Sequence, residues 1–388
     1  MYKYVTGHFS YLIKSSKYEG VDLLRCFAVL GVVFFHYDKI LYSRIFRLGW
    51  TGVDLFFILS GFLIGGAILD EYQKTGEFRF LRFYKNRVLR IYPVYIFATL
   101  LTIYVNIEVF KVITFQFIEF VKQFTINLLF LQTYIPYIFK GDIWNPAYTA
   151  GGTWSLVIEW FFYLVCPVVL VLLLKKFKGN YAKILIVFGI IYLSGTFVRL
   201  YVTRNVLPDD SNWYFAHILR PHMRYDELVA GVICAMLVRK FSIKNKLKAL
   251  FFLVSCVILC LTAVYYYQNP IFLTSPQLQT WETLYFPVVL SIAFSFLLLS
   301  LYNLKIHSPL VNMIARLSYP MYLIHMALAG TVIPLEPTAL VVFNFGVSYL
   351  VSLTIEYPFL RLYRPNSQKN TEPKVIELRN ELELKLGS

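Results

Sequence analysis

Arg25 and His36 stand eleven residues apart in one apolar run, Leu23 to Lys39. At about 3.6 residues per turn and about 1.5 Å of rise per residue, this spacing brings both side chains to nearly the same helical face, roughly 16 Å apart along the axis. Ionisable groups inside an apolar span are costly, so each is a functional candidate by default. Imidazole titrates near neutrality, with an ordinary pKa of about 6.5. Beside an acceptor hydroxyl, His36 therefore has the chemistry of a general base. Arg25 lies near the end of its span, where the simpler reading is an arginine reaching for lipid headgroups.

Other polar residues interrupt the later apolar runs. Asp54 opens the second run at about the depth of His36, and an Asp-His pair is a common way to fix an imidazole tautomer. The run WSLVIEWFFY places Ser155, Glu159 and Tyr163 at steps of four on one face. Depth alone leads us to expect Asp54, His36 and Glu159 to converge, as titratable groups do at active sites. Helix-to-helix adhesion is the competing use of such a stripe. Arg87 and Arg90, one turn apart in a stretch that also holds Arg79, Arg82 and Lys85, offer planar donor forks suited to phosphate. A topology signal would need the same charge without the spacing. Arg224 and Glu227 are spaced to pair on one helix, as an ion pair at the membrane edge or as acceptor recognition. Trp154, with Trp144 and Tyr148, is suited to stacking on sugar rings, and interfacial belts use the same residue types. Ser318, Tyr322 and His325 share one face, and Ser352 and Glu356 another; both sets read as supporting. His217, His222 and the five cysteines form no metal-binding pattern.

The elements that must position these groups are membrane helices. Of 388 residues, 58% are hydrophobic, 18% aromatic and only 15% charged, and mean hydropathy is +0.60. That composition excludes an ordinary soluble domain. The net charge of +15 comes from Lys and Arg clustered in short loops, a pattern of membrane topology and not of nucleic-acid binding. Spans are expected near 22–42, 50–69, 91–110, 154–174, 183–203, 225–239, 249–267, 282–302, 317–333 and 338–360. Leaving the ambiguous region 111–152 as a non-crossing segment puts every basic loop on one side, with both termini cytoplasmic. The expected fold is an all-α integral membrane protein, a bundle of about ten transmembrane helices over residues 1–362, with a polar cytoplasmic tail at 363–388. No removable signal peptide is legible before the first span, which is expected to remain as an anchor.

The motifs RCFAVLGVVFFH, GVDLFFILSGFLIGG, RVLR, WSLVIEWFFY, RYDELVAGVICA, LSYPMYLIH and SLTIEYPFL occur in that order over residues 20–362. Together they resemble membrane-bound acyltransferase family 3, the O-antigen acetylase-like O-acyltransferases of bacteria. The resemblance implies a multi-pass protein of the bacterial inner membrane. Its donor would be acyl-coenzyme A, most simply acetyl-coenzyme A, with no permanently bound cofactor and no metal. Its acceptor would be a hydroxyl of a cell-envelope glycan or glycolipid. It further implies His36 as catalytic base with Asp54 and Glu159 in support, and Arg25, Arg87 and Arg90 on the donor. Trp154, Ser155, Arg224 and Glu227 would be acceptor-side residues. The rival reading is a proton-coupled transporter or flippase using the same intramembrane polar groups. It gives no reason for the arginine pair, and no paired broken spans are visible in the sequence.

Overall fold

A computed structural model describes residues 2–37, 44–109, 116–134, 152–205, 220–268, 279–329 and 336–363. Trp144, Tyr148, His217 and the polar tail lie outside these residues, as does most of the 111–152 region.

All regular elements among the described residues are helical. A short helix α1 (Tyr2–Ile13) precedes α2 (Glu19–Tyr37), α3 (Gly52–Thr75), α4 (Phe80–Tyr104) and α5 (Phe117–Leu128). Then come α6 (Trp154–Lys176), α7 (Tyr181–Asn205), α8 (Pro221–Lys240), α9 (Asn245–Gln268) and α10 (Gln279–Leu301). The last are α11 (Pro309–Ala329), α12 (Pro337–Val351) and α13 (Tyr357–Tyr363), the latter two joined by a π turn at Ser352–Glu356. Among the described residues, eight helical stretches are long and apolar enough to cross a membrane. The two expected spans outside that set are α8 and α11, of 20 and 21 residues. Each carries polar residues on faces that pack inside the bundle: Arg224, Asp226 and Glu227 on α8, and Ser318 and His325 on α11, are all buried. Helix α5 has twelve residues, about 18 Å, shorter than a bilayer core. It ends in a reversal at Phe130 (φ 54°), whose ring stacks on Tyr95 and Trp160.

Helices α2, α3, α8 and α11 form the centre. Between α3 and α8 the backbones touch: a Cβ added to Gly61 would lie 1.9 Å from the Leu228 carbonyl oxygen, and one on Gly231 2.1 Å from that of Ile58. The small residues of ILSGFLIGG therefore serve close packing. At the end of the bundle that carries the basic connections, Asp70 of α3 accepts from Arg239 of α8 at 2.7 Å and from Lys17 at 3.1 Å. Glu19 accepts from the backbone N–H groups of Ile306 and His307, tying α2 to the α10–α11 connection.

Helix α4 starts earlier than its hydropathy suggests. Gly76, at φ 71°, ends α3 in a left-handed cap, and after a three-residue connection the chain is helical again at Phe80. Arg87 and Arg90 therefore project from a helix, not from the loop to which charge counting assigns them, and stand about 10 to 15 Å above its start.

Candidate active site

A cavity of about 330 Å3 opens between α2, α3, α4, α6 and α11. Arg25, Arg87 and Arg90 line it with one carboxylate, that of Glu159. Three cations against one acid in the lining give the cavity an excess of positive charge, which the low dielectric of a membrane interior leaves weakly screened. Phe56, Phe57, Leu59, Leu63 and Ile64 of α3 supply an apolar wall. A second cavity of about 340 Å3 shares Asn86 and Arg87 with the first and extends to the basic end, where Lys74, Arg79 and Arg82 line it together with Asp70 and Glu71. A ligand could therefore carry its charge at the bundle's basic end and an apolar arm inward.

Several polar wall residues are held by partners. The Ser318 hydroxyl donates to the Ala315 carbonyl at 2.8 Å and accepts from Arg25 Nη2 at 3.0 Å. The Arg87 guanidinium lies over the rings of Phe83 and Tyr163, at 5.1 and 5.5 Å. Glu159 accepts from the hydroxyls of Ser60 (2.8 Å) and Tyr163 (2.6 Å). Higher up, Tyr322 donates to the Gly152 carbonyl at 2.9 Å. Its single proton is thereby used, so Ser155 is the donor in the 2.7 Å bond between the two hydroxyls.

Helices α2 and α11 run side by side and carry the site from one level to the next. Arg25 meets Ser318 at the lower rung, and the His36 and His325 rings meet at the upper one, with centroids 4.8 Å apart. Tyr322, between Ser318 and His325, forms the cavity wall at that height. His36 itself does not line the cavity; it adjoins it through His325. His36 Nδ1 lies 2.9 Å from the Val32 carbonyl oxygen, which can only accept, so Nδ1 carries the proton and Nε2 is the basic atom of the neutral ring. His325 is fixed the same way, Nδ1 donating to the Tyr322 carbonyl. His325 Nε2 is buried without a hydrogen-bond partner among the described residues.

The three groups expected to converge lie in three different surroundings. Asp54 does not orient His36: its Oδ1 accepts from Arg224 at 2.6 Å, and Val32 does the orienting. Depth along a helix sets a residue's height but not which neighbour it faces, and Asp54 faces α8. Glu159 sits with the arginines. Arg224 also holds Glu227 through Nε and Nη2 at 3.0 and 3.1 Å, and lies over Phe57 and Trp154 at 5.6 and 5.7 Å. Arg224 is 3% exposed and Glu227 0%. Such burial directs this pair, with Asp54, to joining α3 and α8 in place of the acceptor contact expected from the sequence. Beside it is an ion pair the sequence reading missed, Arg199 with Asp226 at 2.8 and 2.6 Å, both fully buried. A lone arginine in the run FVRLYV was its signal, since an intramembrane cation needs a partner. Ser318, Tyr322 and His325, read from the sequence as supporting, are instead walls of the cavity and its link to His36.

A bundle that is all-helical among the described residues, with membrane-length helices around an arginine-lined cavity and two histidines above it, defines the class: a polytopic membrane protein. Residues 18–357 match the family described as the acyltransferase domain, and the chain belongs to that family. It is similar to O-acetyltransferase OatA of Staphylococcus aureus strain NCTC 8325 / PS 47, at 31% identity over 230 residues, 58% of this chain and 36% of that protein. The OatA of Staphylococcus aureus strain COL shows the same identity and coverage. The chain thus spans about a third of the length of these curated relatives. No solved structure matches it.

Proposed function

We propose that this protein is a membrane O-acyltransferase that moves an acyl group, in the first instance acetyl, from cytoplasmic acyl-coenzyme A to a hydroxyl of a cell-envelope glycan or glycolipid. The observation that carries the reading is the cavity in which Arg25, Arg87 and Arg90 face a single carboxylate and which leads through Tyr322 and His325 to His36. Family membership and the likeness to O-acetyltransferases support it.

The donor enters from the basic end. Its phosphates meet Arg87 and Arg90, and its thioester arm runs past Arg25 between α2 and α11 toward the histidines. His36 Nε2 removes the proton of the acceptor hydroxyl as that oxygen attacks the thioester carbonyl. The carbon–sulfur bond breaks, an ester forms, and the departing thiolate takes the proton from the imidazolium, leaving coenzyme A as free thiol. Ser60, Tyr163 and Glu159 keep the cavity wall polar without cancelling its positive charge. Inner-membrane location with both termini cytoplasmic belongs to the same proposal, because the donor is a cytoplasmic metabolite.

The donor site is tested by binding. Arg87→Ala and Arg90→Ala should each weaken acetyl-coenzyme A binding about ten- to a hundredfold, the range for losing a charge-assisted hydrogen bond. Calorimetric titration of the purified protein measures this. Wild-type affinity in both variants would move the donor site away from this arginine pair.

A further inference from the structure

The second cavity opens between the last turns of α3 and the first turns of α4, on either side of the corner that Gly76 makes in its left-handed conformation (φ 71°). Asp70, Glu71, Lys74 and Thr75 recur at the spacing of one face of α3, and Arg82, Phe83, Asn86 and Arg87 at that of one face of α4. Arg90 continues the α4 face into the first cavity. From Arg82 to Arg90 the helix rises about 12 Å, so a line of guanidinium groups leads from the basic end inward.

Both acids of this cavity are already engaged. Asp70 accepts from Arg239 at 2.7 Å and from Lys17 at 3.1 Å, two cations outside the lining. Glu71 accepts from Arg79 at 3.1 Å. Lys74 and Arg82 are exposed and make no ion pair or hydrogen bond among the described residues. Membrane topology alone accounts for cations at this end of the bundle, but not for their place at the mouth of a cavity that shares Arg87 with the arginine site. Phe78 and Phe83 line the same cavity and are buried, with ring centroids 5.5 Å apart, and they offer an apolar surface to a planar heterocycle.

With its thioester end directed to His36, coenzyme A extends its opposite end toward the bundle's basic end. That end is an adenosine whose ribose carries a phosphomonoester, with a charge of about −1.5 to −2 near neutrality. We infer that the second cavity is the nucleotide subsite of the donor, in which Lys74 and Arg82 hold the ribose 3′-phosphate and Phe78 and Phe83 pack against the adenine, while Arg87, common to both cavities, meets the diphosphate. The inference rests on the donor reading above. It makes the protein selective for coenzyme A over carriers that share the pantetheine arm but lack the 3′-phosphate, whether dephospho-coenzyme A or a phosphopantetheine attached to a protein.

The test titrates coenzyme A and 3′-dephospho-coenzyme A into the purified full chain in detergent at one fixed ionic strength, with the thermal midpoint of each variant recorded alongside. Wild type should prefer coenzyme A about tenfold, the effect of charge-assisted hydrogen bonds to a phosphate at a solvent-exposed mouth. The double variant Lys74→Ala with Arg82→Ala should bind coenzyme A about tenfold more weakly and dephospho-coenzyme A as wild type does, because the effect passes through the 3′-phosphate. Both side chains are exposed, so the midpoint should not move. Arg87→Ala should weaken both ligands alike. Equal wild-type affinity for the two ligands, or an equal loss of both in the double variant, would overturn the inference and leave the donor site at Arg87 and Arg90 standing. In phosphatidylglycerol nanodiscs the preference should persist; its loss there would assign Lys74 and Arg82 to lipid headgroups and overturn the inference as well. A folded wild-type protein that binds neither ligand would overturn the donor reading and this inference with it.

Discussion

His36→Ala is expected to lower kcat for acyl transfer by about a hundred- to ten-thousandfold, the range for removing a positioned general base. Donor affinity and thermal stability should stay near wild type, for two structural reasons. His36 does not line the arginine cavity, so phosphate binding does not depend on it. It is half-buried at the end of α2, and its Nδ1 donates to a carbonyl of its own helix. His36→Gln separates proton transfer from shape, since the amide can still donate to Val32 but cannot take a proton. It should be as slow as the alanine variant. Steady-state kinetics with donor and acceptor varied in turn would make the measurement, and wild-type kcat in His36→Gln would reassign the base, first to His325, whose Nε2 is the other basic nitrogen at this level.

Arg224→Ala has the second large effect, on stability. It leaves the carboxylates of Asp54 and Glu227 buried together without the cation that bridges them, and breaking a buried pair from one side costs about 3 to 5 kcal/mol. The double variant Asp54→Asn with Arg224→Ala should recover part of the loss, because one stranded charge is removed with the cation. Thermal unfolding in detergent measures both. A well-folded Arg224→Ala protein that had lost only its affinity for glycan would restore the acceptor role that its sequence position suggested.

What was legible in the sequence follows from what each signal encodes. Helical periodicity encodes faces and heights, so the shared face of Arg25 and His36 and that of Ser155, Glu159 and Tyr163 were readable; Arg25, Ser155, Glu159 and Tyr163 line one cavity, with His36 beyond it. Periodicity does not encode which helix a face meets, and Asp54 was therefore matched with His36 by height although it faces Arg224. Hydropathy encodes lipid contact. It delays the start of α4 past Arg87 and Arg90, whose charges are turned into a cavity, whereas α8 and α11 were legible as spans although their polar residues face protein. Helix α1 escaped notice because Thr6, Gly7 and His8 interrupt any apolar run; it is tied down by the Tyr4 hydroxyl, which donates to the Leu353 carbonyl more than 340 residues away. The Arg199–Asp226 pair shows the same limit, because a lone charge announces that it has a partner without naming it.

In the proposed reaction the arginine cavity and His36 serve one acyl transfer. Release of free thiol from acetyl-coenzyme A by the purified protein, with and without an envelope glycan fraction, tests it most directly. The expected result is release that requires the acceptor, disappears in His36→Ala and is matched by acetyl ester on the glycan. A folded protein that neither binds coenzyme A nor releases thiol from acetyl or longer acyl donors would contradict it, and would turn the same buried charges over to the proton-coupled transport reading.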